Sequence, residues 1–84
     1  MAFRVYSAIP PADPCRQGFF QKEFSTEEEA LEYVLDNRKA AVEAGIERRE
    51  EYCIKTIEGG TVFNSKQIIV VFNNKESGSK SPYR

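Results

Sequence analysis

The side chains able to do chemistry are few, and the chain has no histidine. Histidine is the usual general base near neutral pH and the commonest ligand of a catalytic metal. Ser–His and Cys–His mechanisms are therefore excluded. Two cysteines, Cys15 and Cys53, fall short of the three or four ligands of a zinc site, and no carboxylate spacing of the D-x-D or EF-hand kind offers magnesium or calcium a cage. The expectation is no catalytic residue, no metal, no cofactor and no enzyme activity. Two cysteines are also too few for a disulfide framework in a chain whose sequence suggests no export, so both thiols are expected to be reduced. Cys53, in a strand-like run, reads as a small apolar core residue. Cys15 has Arg16 beside it to lower its pKa but no base to work with.

What remains is binding chemistry. Glu28, Glu32 and Asp36 follow one another at a spacing of four, which on a helix stacks three carboxylates on one face at a cost of a few tenths of a kcal/mol per pair. Read functionally, they form an acidic ridge that docks on a basic protein surface, such as one that normally holds nucleic acid phosphates. Read plainly, they are a solvated face that keeps the chain in solution. The stretch "IPPADPCRQGFF", residues 9 to 20, is a second candidate. Hairpin loops commonly have two to five residues, and this connection is longer and holds three prolines. The prolines restrict the unbound loop and lower the ordering cost of binding, so Arg16 and Gln17 could meet a phosphate, a carboxylate or an acidic surface. The plainer alternative is that the prolines stiffen a crossing and protect a sheet edge. Arg38 falls on the apolar side of its helical pattern, where an arginine usually lays its stem over the core. Together with Arg4, Tyr6 and Arg16 it makes an alternative set for a small anionic ligand or nucleotide.

The elements that must position these residues are legible from periodicity. "FRVYSAI" (3–9) and "FFQKEF" (19–24) alternate as strands and are expected to pair antiparallel across the proline loop. "STEEEALEYVLDNRKAAVEAG" reads as a helix of about 19 residues. Ser25 and Glu28 form its capping box, Gly45 is its C′ residue, and Ala30, Leu31, Val34, Ala41 and Val42 form one stripe with Leu35 at its edge. After the charged link "IERREE", "YCIKTI" and "TVF" flank Gly59-Gly60 as two strands about a tight turn. "KQIIVVF", apolar on both faces, reads as a closing strand inside the sheet. The expected fold is a small two-layer α+β domain over residues 1–73: an antiparallel sheet of four to five strands, order β-β-α-β-β, with one helix on one face. Residues 74–84 lose periodicity and read as a flexible tail.

Eighty-four residues make one domain near the size at which a single core is marginal, so partner-dependent stability, including a homodimer, is a live expectation. No apolar run is long enough to span a membrane and no signal-peptide core is present, so the chain reads as cytoplasmic. Charge is unevenly spread: residues 25–51 carry nine acids and four bases, residues 52–84 five bases and two acids. In size and organisation, over its whole length, the chain resembles the small accessory and counter-defence proteins encoded by phages, anti-CRISPR-type inhibitors among them. The resemblance carries over no residue and implies a non-enzymatic protein-binding inhibitor or adaptor. The order strand, strand, helix also resembles DNA-binding domains built on a three-stranded sheet, yet the net charge of −1 and the acidic helix argue against a strong phosphate footprint. Protein binding is thus the leading expectation, a small anion the alternative, and nucleic acid a third.

Overall fold

The computed structural model describes residues 2–46 and 49–80, with side chains described through Lys75. Strand β1 (Phe3–Ala8) is followed by a short helix α1 (Pro14–Gln17), strand β2 (Phe19–Phe24), helix α2 (Glu27–Glu43), strands β3 (Glu51–Thr56) and β4 (Thr61–Phe63), and helix α3 (Ser65–Lys80). The strands form one antiparallel sheet in the order β2-β1-β3-β4. This is the α+β class expected, with α1 and α3 added to the β-β-α-β-β frame.

Register explains the two faces. Val5 lies opposite Ile54 and Ser7 opposite Tyr52. Because side chains alternate across a strand, these four share one face. All four are buried, and with Ala30, Val34 and Leu35 of α2 and Ile68 and Phe72 of α3 the three apolar residues of this set form one cluster. Burying an aliphatic side chain of this size contributes about 1.5–3 kcal/mol. Arg4 and Tyr6 point to the other face, opposite Lys55 and Cys53.

Helix α2 starts one residue later than its capping signature suggests. Thr26, not Ser25, is the N-cap, and its hydroxyl accepts from the Glu29 amide at 3.1 Å. Gly45 follows the C-cap with φ +73°, the left-handed conformation that favours glycine. Of the stripe, Ala30, Val34 and Leu35 are buried, while Val42 is exposed.

The closing strand expected over "KQIIVVF" is a helix. Asn64 and Gln67 cap it reciprocally: the Asn64 side-chain oxygen accepts from the Gln67 amide at 2.9 Å, and the Gln67 side-chain oxygen accepts from the Asn64 amide at 2.9 Å. Ile68 and Phe72, four residues apart, are buried, whereas Val70 is 57% exposed. That pattern is one helical face on a core, not a strand covered on both sides. Helix α3 continues through residues 73–80, part of the stretch expected as a tail; residues 81–84 lie outside the described residues.

The proline loop also folds locally. The Asp13 carboxylate caps α1 by accepting from the Cys15 amide at 3.0 Å, and buried Pro14 supplies the first helical residue. The turn lays Cys15 against β3, where it is disulfide-bonded to Cys53 with Cα atoms 5.3 Å apart. The expectation of reduced thiols is thereby corrected. The two cysteines are 38 residues apart in sequence, and only the return of α1 onto the sheet brings them together.

Candidate functional site

The C-terminal half of α2 and its C-cap carry Asn37, Arg38, Ala40, Ala41 and Ala44 along the side that overlooks the start of β3. Three alanines leave the helix surface low there, and a cleft of about 520 Å³ opens between α2, the segment containing Ile46 and Arg49, and Tyr52. Its walls are mostly apolar, and two arginines stand in it.

The Nε atoms of Arg38 and Arg49 are buried and have no hydrogen-bond partner, and among the described residues neither arginine is ion-paired. Arg38 lies over the Phe72 ring, 5.3 Å from its centroid, a cation–π contact that holds the stem in the core. Burial pushes the Arg38 guanidinium down from its usual pKa, and the charge of Arg49 adds to this; Glu51 and Tyr52 act the other way. Arginine stays protonated regardless, so the site holds two cations that disfavour each other.

The nearest acid in sequence is already engaged. Gln21 Nε2 donates to Ser7 Oγ at 2.7 Å, Ser7 Oγ donates to Glu50 Oε2 at 3.1 Å, and Tyr52 Oη donates to Glu50 Oε1 at 3.3 Å. This chain fixes the polar wall of the cleft. Burial, then the Glu50 charge and hydrogen bond, pushes the Tyr52 hydroxyl up to about 12. With Glu50 bonded to Ser7 and Tyr52, an oxyanion such as a carboxylate or phosphate complements two arginine side chains in a low-dielectric cleft.

The residues singled out from sequence separate into four places. Arg38 is in the cleft. Arg4 and Tyr6 lie across the sheet on its open face, where Arg4 pairs with Glu23 at 3.0 Å. Arg16 lines a groove of about 740 Å³ between α1 and the start of α3, and Gln17 is exposed at the end of α1. The alternative ligand set is therefore not brought together. Glu28, Glu32 and Asp36 are all exposed along α2, and Glu28 and Glu32 border a shallow recess with Leu31, Leu35 and Lys75. Sequence reasoning missed Arg49 and Glu50, which sit in what reads as a charged link. The chain matches no protein-family model, no curated protein and no solved structure.

Proposed function

We propose that the protein is a non-enzymatic binding module whose ligand presents a carboxylate or phosphate to Arg38 and Arg49. The observation that supports this reading is the pair of buried Nε atoms, of Arg38 and Arg49, that have no hydrogen-bond partner among the described residues, on two side chains that line one cleft. Ala40, Ala41, Ala44 and Ile46 give the ligand a short apolar stem to lie on. The oxyanion can be carried by a free small molecule or by a side chain or chain end of a partner protein. Titration with phosphate, citrate and hexanoate, followed by melting temperature and calorimetry, tests the first source; a peptide ending in a free carboxylate, against its amidated form, tests the second. Arg49→Ala is expected to weaken binding about tenfold or more, the usual cost of removing a charged hydrogen-bond partner. Full retention of the shift in Arg49→Ala, or no response to any anion, rejects the reading.

Among the described residues no helix is long and apolar enough to cross a membrane. The cytoplasmic placement is part of the proposal and is tested by fractionating the producing cell: recovery with a cytosolic marker supports it, and recovery outside that fraction rejects it.

A further inference from the structure

The sheet face away from α2 and α3 carries two adjoining rings flanked by two cations. Lys55 Nζ lies over the Tyr6 ring at 5.4 Å, Tyr6 meets Phe20 edge-on with centroids 6.0 Å apart, and the Arg4 guanidinium lies over Phe20 at 6.0 Å. Glu23 holds Arg4 in place through Nε. Phe20 is 56% exposed. The row does not end at Lys55, which also lines the groove beside α1 with Arg16 and Lys66. Of the two acids in that groove, Asp13 already caps α1, leaving Glu51.

We propose that this face binds single-stranded nucleic acid, with bases stacked on Phe20 and Tyr6 and the phosphate backbone following Arg4, Lys55, Arg16 and Lys66. The chemistry of the row selects that occupant. An apolar partner or a second copy would have to strip water from several cations to cover the rings. An acidic peptide would use the cations and leave the ring faces idle. A single strand uses both, because every base has a π-face and every linkage a charge. Duplex DNA keeps its bases stacked inside and offers the rings nothing. The inference is independent of the cleft, which lies on the opposite side of the sheet.

The test is fluorescence anisotropy of the full chain with a labelled oligothymidylate or oligouridylate of about fifteen nucleotides, long enough to cross a site of this kind. Binding is expected at low salt, weakening with a slope of log K against log salt of about −3 for four neutralised phosphates. Phe20→Ala, an exposed substitution, should weaken binding about tenfold, the loss of one stacked base. Lys55→Gln should reduce the slope by about 0.7. Lys39→Gln, which removes an exposed cation from α2, should change neither. No binding at low salt, equal binding of a duplex, equal competition by a polyglutamate peptide, or an unchanged affinity in Phe20→Ala would each overturn the proposal.

Discussion

Tyr52 and Gly18 make their predictions one side chain at a time. Tyr52 holds its proton more tightly when folded, its pKa rising from 10.0 to about 12. A group raised on folding stabilises the native state fully below its unfolded pKa and loses that contribution as pH climbs through the folded one. The denaturation midpoint should therefore fall between about pH 10 and 12, and less steeply in Tyr52→Phe. Equal slopes would remove Tyr52 as the cause. Gly18 has an ordinary extended backbone, φ −78°, so its constraint is space: a Cβ there would overlap the Pro14 carbonyl oxygen and come within 2.9 Å of Tyr6 Cβ. Gly18→Ala should cost about 1–3 kcal/mol by overpacking, read by urea denaturation. At this level Arg38 is legible, because a cation on an apolar stripe is an anomaly in the sequence itself. Arg49 is not, because a residue in a link acquires its surroundings only from the tertiary fold.

Helix α2 shows what patterning can deliver, and α3 shows where it stops. A long 3.6-residue period with caps at both ends has no competing interpretation; the cap is Thr26 rather than Ser25, and Val42, at the far end of the stripe, is exposed. The run Ile68–Phe72 is short and continuously apolar, so its period fits a buried strand as well as a helix. The deciding signal lies just before it, in the Asn64-x-x-Gln67 pair, which reads as a capping box once asparagine is allowed the role of serine. Asn64→Ala should lower stability by about 1 kcal/mol, with a matching loss of helical circular dichroism as the chain is warmed. An unchanged melting curve would mean that α3 is held by Ile68 and Phe72 alone.

Across the whole chain, charge and covalent connectivity set the remaining expectations. The exposed row Glu28, Glu32 and Asp36 keeps docking on a basic protein open as a second proposed use of the molecule. Glu32→Lys with Asp36→Lys should weaken capture of such a partner while shifting stability by less than about 0.5 kcal/mol; undiminished capture removes the ridge from any interface. Cys15→Ser should lower stability by about 2–4 kcal/mol, the usual range for a lost bridge, and this is checked by comparing oxidised and reduced parent with the variant. The Cys15–Cys53 bond also turns residues 15–53 into a closed ring with β2 and α2 inside it. Any single backbone cut between the two cysteines, including one in the segment that carries Arg49, leaves two pieces that migrate as one until thiol is added. A nicked protein would thus keep its intact mass plus one water, and comparing its anion affinity with that of the uncut ring would separate the contribution of Arg49's backbone continuity from that of its charge.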